Sequence, residues 1–466
     1  MRIGVRLGTR EIHAALLDGE RILGAATAPL DVFAPLGPRE TAERVLRTLV
    51  AAAPSGVDSV TWDVADVLEA SLTRTTAPGP EGEAPAARVA SWLPRARPVA
   101  ALRLVPRPPA VAGAGRHPAA LIRSLVGWRG TAPGGHDLFG TELAEADVRA
   151  AQRCADAVTE AGISTVAVTA TGATACADHE VRAAAAILER HPDLHVCLSH
   201  ETGGLGLLER EATTVVNAAL LAPADHLIAC CELTTAALPG GPACWFATGD
   251  GGRVSARRLC WLPVLGLGAT AATALVAAAR QSGTADALVV LVRDGTVTVG
   301  QVRDGLPHVE ADLPGVGGVR VVTPQPVLTA APVRSPGTTL TAVRSRHTAD
   351  VVAALDAPGR ETAEEIARLA GRGTVLLTPE ADLAAAGAAG TEPGAWLDLL
   401  VPVGTGQTLE EVQSQAEHRA LALVAAHGAE PGTAAVVRSS ATAVGYLSIY
   451  RLQIRAGSRP GTEARR

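Results

Sequence analysis

Residues 164–221 read STVAVTATGATACADHEVRAAAAILERHPDLHVCLSHETGGLGLLEREATTVVNAALL, and the class of the fold is decided there. Ser164–Ala170 is an apolar, β-branched run of strand length bounded by turn residues, as a buried strand requires. Asp178 is placed to cap a helix that extends through Arg190. His195–His200 returns to a strand pattern, and Glu209–Leu221 has helical length and spacing. Strands alternating with helices predict an α/β sheet.

Working outward, Asp147 to Glu160 is an amphipathic helix that Gly162 ends. The N-terminus reads as strands Arg2–Leu7, His13–Leu17 and Arg21–Ala26, with Asp18-Gly19 turning the second into the third. A helix over 38–53 follows, on Ala42, Val45, Leu46, Leu49 and Val50, and then a strand at Val57–Val64. The Pro/Gly/Glu-rich stretch 73–87 predicts an exposed loop. Downstream come strands near His226–Leu233 and Ala243–Thr248, a helix at Ala269–Arg280, and strands Leu288–Val292 and Thr296–Val302. The hairpin VVLVRDGTVTVGQVRDG (289–305) echoes the N-terminus and suggests a duplicated two-lobed architecture. Beyond residue 331, helices near Glu361–Ala370 and Leu409–Ala426 and a strand at Leu447–Arg455 suggest an appended region. The expected division is 1–185, 186–330 and 331–466.

A chain of 466 residues is too long for one ordinary core, and 47% apolar with 19% charged residues is a globular balance. A net charge of −6 argues against a nucleic-acid footprint. All 41 basic residues are arginine, which excludes lysine chemistry. The seven cysteines are odd in number and form no C-x-x-C pair, so they read as buried thiols. With no signal-peptide pattern and no apolar run of membrane-spanning length, the expectation is a cytoplasmic protein without membrane partners.

His179-Glu180, Ser199-His200-Glu201, Glu209-Arg210, Thr213-Thr214 and Asn217-Ala218 occur in the order found in the hydantoinase/oxoprolinase family. The central stretch therefore resembles the A-subunit, or N-terminal half, of that family, whose members share the actin-like, sugar-kinase-like and heat-shock-ATPase-like fold. TGDGGRVSARR (248–258) resembles the family's Ser-Asn-Gly-Gly-x-x-Ser segment, and residues 302–324 resemble the stretch after its second phosphate loop. The resemblance implies an ATP- and magnesium-dependent hydrolase of cyclic amides such as hydantoin or 5-oxoproline, working with a B-type subunit. It places the cofactor at Arg6, Gly8 and Thr9, at Arg293, Gly295 and Thr296, and at Asp250, Gly251 and Gly252.

The sequence departs from the family at its phosphate loops. Arg6 replaces the first Asp of Asp-x-Gly-Gly-Thr-x-Thr-Asp, and Ile12-His13 replaces the closing Thr-Asp. Leu291 and Thr298 fall where the second loop has its carboxylates, and the glycine-rich third segment is reduced to SPGTT (335–339). Loss of these carboxylates predicts impaired or lost turnover, with a non-catalytic partner subunit or a ligand-sensing pseudoenzyme as the alternative.

Ser199, His200 and Glu201 at a strand end are candidate catalytic residues, because α/β sheets place sites at strand carboxyl ends. Their bland reading is packing and helix capping, which is also the reading of His179-Glu180. Gly134-Gly135-His136-Asp137 sets a histidine beside a carboxylate and makes His136 and Asp137 a second candidate pair. Asp250-Gly251-Gly252 reads equally as an ordinary turn. No carboxylate and histidine spacing marks a metal site.

Overall fold

The computed structural model describes residues 1–30, 38–73, 95–109, 117–204, 206–293, 296–311, 313–332, 350–355, 364, 368, 374–404, 406–445 and 449–458. The chain opens with β1 (Arg2–Leu7), β2 (Glu11–Asp18) and β3 (Arg21–Pro29), an antiparallel meander, then α1 (Arg39–Ala51), β4 (Ser59–Asp63) and α2 (Ala65–Thr73). A parallel unit follows from β5 (Val99–Val105), α3 (Ala120–Leu125), β6 (Val126–Pro133), α4 (Val148–Glu160), β7 (Thr165–Ala170), α5 (Asp178–Arg190) and β8 (His195–Leu198). Its four strands run in the order β6-β5-β7-β8.

The short α6 (Ser199–Thr202) and the long α7 (Leu207–Ala236) lead back to β9 (Ala243–Ala247) and β10 (Arg253–Ser255), which complete the first sheet as β10-β9-β4-β1-β2-β3. Within it, β1, β4 and β9 are parallel. Trp62, Val60, Ile3, Val5 and Phe246 are wholly buried there against α7 and α1.

Next come α8 (Ala256–Trp261), α9 (Ala269–Gln281), β11 (Ala287–Arg293) and β12 (Thr296–Arg303). The two-residue strands β13 (Leu306–Pro307), β14 (Val309–Glu310), β15 (Leu313–Pro314), β16 (Arg320–Val321) and β17 (Gln325–Pro326) precede β18 (Leu328–Pro332), β19 (Asp350–Leu355) and β20 (Thr374–Leu377). The second large sheet runs β13-β12-β11-β19-β20, with β18 also on β12. Its centre repeats the first sheet's pairing: β11 is antiparallel to β12 and parallel to β19, as β1 is antiparallel to β2 and parallel to β4.

The helices α9 and α10 (Leu383–Ala389) pack on each other between the two sheets, α10 against β1 and β2 and α9 against β12. Close approach is possible because the contact residues are small. A Cβ on Gly4 would lie 1.9 Å from the carbonyl oxygen of Ala385, and one on Gly387 would lie 2.0 Å from that of Thr273. Finally β21 (Gly394–Pro402), α11 (Leu409–Ala426), β22 (Ala434–Ala443) and β23 (Ile449–Ser458) make an antiparallel sheet, β21-β23-β22, backed by α11. A reciprocal capping box starts α11: Glu411 N–H donates to Thr408 Oγ1 and Thr408 N–H to Glu411 Oε2.

Three expectations are corrected. The strand near His226–Leu233 is the second half of α7, which runs 30 residues straight through Pro223. Pro223 has no N–H and so frees the carbonyl of Ala219, but Arg97 N–H donates to that oxygen at 3.3 Å, so the interruption leaves no orphan. The strand at His195–His200 stops at Leu198, because Ser199 and His200 turn into α6. Two segments, Leu207–Ala236 and Pro263–Gln281, do have the length and hydropathy of a membrane span, but 67% of each apolar window is buried inside the protein, as in core helices. The loop expected at 73–87, the helix near Glu361–Ala370 and the segment 335–339 fall almost wholly outside the described residues.

Candidate functional site

The parallel strands β1, β4 and β9 end together, and α/β sheets place their ligands at such an edge. Arg6, one residue from the end of β1, pairs in register with Asp63 at the end of β4. Its guanidinium is buried and fully engaged by carboxylates. Nε and Nη2 donate to Asp66 Oδ2 at 3.0 and 2.8 Å, and Nη1 donates to Asp382 Oδ2 at 3.0 Å. Asp66 lies in the first turn of α2, and Asp382 is the N-cap of α10, where its Oδ1 accepts from Ala385 N–H. Burial works against the charge on Arg6, but the two carboxylates outweigh it and raise its pKa.

Asp63 is completely buried, and Oδ1 accepts from Ala65 N–H at 3.1 Å while Oδ2 has no partner. Burial, helped by the negative charge of Asp66, pushes its carboxyl up to about 7. In the β1–β2 turn, Gly8 N–H donates to Glu11 O at 2.9 Å, so the hairpin uses this amide itself. Thr9 is half-buried beside it.

ATP phosphates and magnesium would need free backbone N–H groups and carboxylates open to a cation. Here the nearest amide closes a hairpin, and a guanidinium already holds both Asp66 and Asp382. No group of three His, Cys, Asp or Glu residues suited to a metal ion occurs among the described residues. The residues of this edge therefore do not fit the pair. At the β11–β12 turn, Arg293 stands opposite Thr296 in the ladder and Thr296 is exposed. Gly295 lies outside the described residues.

A second cluster gathers at the end of β7 and β8. Glu180, wholly buried in the first turn of α5, accepts four hydrogen bonds. Oε1 takes Ala170 N–H at 2.7 Å and Ser199 Oγ at 2.5 Å, and Oε2 takes the backbone N–H and Nδ1 of His200 at 3.0 and 2.8 Å. Arg210 of α7 completes the cluster, donating to Ser199 Oγ at 3.3 Å and Ala170 O at 2.6 Å. These bonds explain why the chain turns at Ser199 instead of extending β8. They also require a proton on Nδ1 of His200, because a carboxylate only accepts, so the neutral ring presents Nε2 as an acceptor.

His200 and Glu201 line a cavity of about 240 Å³ that also reaches Thr248, Asp250, Arg258, Thr323, Asp398 and His427. Glu201 Oε2 accepts from Trp261 Nε1 at 3.1 Å, and burial raises its pKa against the opposing pull of His200. Asp250 Oδ1 is occupied by Thr248 Oγ1 at 2.5 Å and Gly252 N–H at 3.1 Å, while Gly251 takes a positive φ of 81° in the same turn. Ser199-His200-Glu201 and Asp250 thus meet around one cavity, Ser199 as support behind His200. Glu180, read from the sequence as a helix cap, is the residue that holds the cluster, and a buried carboxylate before an apolar helix face was the available signal.

His136 and Asp137 do not pair. Asp137 Oδ1 accepts from the backbone N–H groups of Phe139 and Thr141, each at 2.8 Å, and these bonds, outweighing slight burial, lower its pKa. The His136 ring packs on His179 with centroids 4.1 Å apart, and His179 accepts from Gly135 N–H and faces Glu142 at 3.0 Å.

No family model and no curated protein matches the chain. Among solved structures it is similar to the nucleotide-free structure of acetone carboxylase, from work on ATP-dependent acetone carboxylation. The TM-score is 0.63 and the identity 11%, over 98% of this chain and 87% of that one. It is also similar to the ATP-dependent caprolactamase of Pseudomonas jessenii, with a TM-score of 0.71 and 13% identity over 99% of this chain and 88% of that one. At such identities the likeness is one of fold: this chain has the mixed α/β architecture of two ATP-dependent enzymes over nearly its whole length.

Proposed function

We propose that this protein is a two-lobed, actin-like relative of the ATP-dependent cyclic-amide enzymes that no longer transfers phosphate and serves as a ligand-binding module. The repeated strand pairing of its two large sheets supports the two-lobed reading. The observation that carries the functional reading is the Arg6 clamp. A cation stands where the family resemblance expects a metal-organising carboxylate, and it is neutralised by Asp66 and Asp382. Phosphoryl transfer rests on positioning plus electrostatic stabilisation of the phosphate oxygens, and at this edge Arg6 already holds Asp66 and Asp382. The cavity beside His200, by contrast, retains unused polar groups.

The test is thermal unfolding of the purified chain with and without millimolar magnesium-ATP. A ligand at a hundred times its Kd stabilises by ~2.7 kcal/mol, which moves the midpoint visibly. The midpoint is expected to stay in place, with no ATP hydrolysis when hydantoin or 5-oxoproline is added. Turnover stimulated by either amide sinks this reading in favour of an active ATP-dependent hydrolase, and a clear rise without turnover refutes the argument from the Arg6 clamp by showing that nucleotide still binds. A second reading, a non-catalytic subunit bound to a B-type chain, predicts stable co-purification of the two when co-expressed.

A further inference from the structure

We propose that the cavity between α6, α8 and the C-terminal sheet binds a short monocarboxylate that also carries a hydroxyl donor, with Arg258 holding the carboxylate and His200 Nε2 accepting from the hydroxyl. This rests on the reading of the protein as a ligand-binding module and names the chemistry of its ligand.

Three groups in the wall lack the partners that their chemistry demands. Arg258, on α8, makes no ion pair with any described residue, and its buried Nε has no hydrogen bond. Burial lowers its pKa, with Glu201 the charge that opposes this, so an anion would relieve a real desolvation cost. Thr323 is only 3% exposed, and its hydroxyl has no partner. A buried polar group left unsatisfied is uncommon enough to call for an explanation, and a bound ligand is one. His200 keeps Nε2 free because Glu180 holds Nδ1, and its side chain is 24% exposed where it lines the cavity.

The remaining charges of the wall select among anions. Asp398 is held by a bidentate pair with Arg451, Asp250 by Thr248 and Gly252, and Glu201 by Trp261. Arg419 adds a second cation to this wall, so that the carboxylates Glu201, Asp250 and Asp398 stand against Arg258, Arg419 and the Arg451 that pairs with Asp398. With these charges balanced, one added carboxylate on Arg258 costs less than a phosphate dianion. The volume of about 240 Å³ falls below the ~300 Å³ where ordinary ligand pockets begin, which favours a small ligand.

The experiment is calorimetric titration of the full chain with L-lactate, with propionate lacking the hydroxyl and lactamide lacking the charge. Lactate is expected to bind, propionate about tenfold more weakly, and lactamide not at all at the same concentrations. Arg258→Gln should abolish lactate binding while retaining the wild-type circular dichroism spectrum. His200→Phe should erase the preference for lactate over propionate. If Arg258→Gln does not fold, Thr323→Val supplies the same test through weakened lactate binding in a folded protein. No binding of lactate or propionate at 10 mM, or binding indifferent to these substitutions, overturns the proposal. Magnesium-ATP hydrolysis is assayed in parallel: phosphate release would refute the loss of phosphate transfer, and no release together with no lactate binding would refute the carboxylate site alone.

Discussion

Arg6 and Asp63 sit side by side at the ends of β1 and β4, and the electrostatic consequences of that pairing are opposite for the two. Arg6 is kept charged by Asp66 and Asp382, whereas Asp63, buried with one oxygen unpartnered, is pushed up to about 7. In the unfolded chain the Asp63 carboxyl returns to its ordinary 3.8. Between these values the folded protein holds a proton that the unfolded one has released, so this group's contribution to stability falls as pH rises from about 4 to about 7. Asp63→Asn keeps the shape and removes the titration. The unfolding midpoint of the variant relative to wild type is therefore expected to rise between pH 5 and pH 8, and a constant difference would refute the buried, proton-holding Asp63. A basic residue near the end of β1 was legible in the sequence; its capture by Asp382, 376 positions away, was not.

Helix α7 shows how a single element absorbs a local contradiction. Pro223 marks a helix end by its own chemistry, and the apolar run after it has strand-like composition. The helix continues because its buried face, including Val215, Val216, Leu220, Leu227 and Ile228, packs between the first sheet and the parallel strands β5, β7 and β8, and because Arg97 satisfies the carbonyl that Pro223 abandons. Pro223→Ala is accordingly expected to change stability by less than ~1 kcal/mol in denaturant unfolding, against the ~3 kcal/mol that separates proline from alanine in an unsupported helix. A gain near the larger figure would mean that the helix is strained at this point. Elements without such a contradiction, among them α4, α5, α9 and α11, could be read from periodicity and caps to within about two residues.

Across the molecule, the C-terminal sheet is fastened to both large sheets by one side chain. Arg455 of β23 donates through Nη1 to Pro307 O at 2.8 Å and through Nη2 to Asp250 O, joining β13 of the second sheet and the turn that follows β9 of the first. Burial lowers its pKa, and the charge of Asp250 opposes this. Arg455→Met removes two charge-assisted bonds, each worth about 1.5–3 kcal/mol, and leaves two carbonyls to find water. Limited proteolysis is expected to release a fragment beginning near the α10–β21 connection sooner than in wild type, and equal digestion rates would place the docking energy elsewhere.

The sequence by itself determined the α/β class, the N-terminal meander and the central strand and helix cycle, because local propensity, capping and periodicity are properties of neighbouring residues. Only the tertiary structure decided that α7 runs on, that Glu180 gathers Ser199 and His200, that Asp382 closes on Arg6, and that Arg258 and Thr323 face one cavity with no partner of their own. Those outcomes depend on contacts between distant parts of the chain, where burial and desolvation, rather than local preference, set the energy.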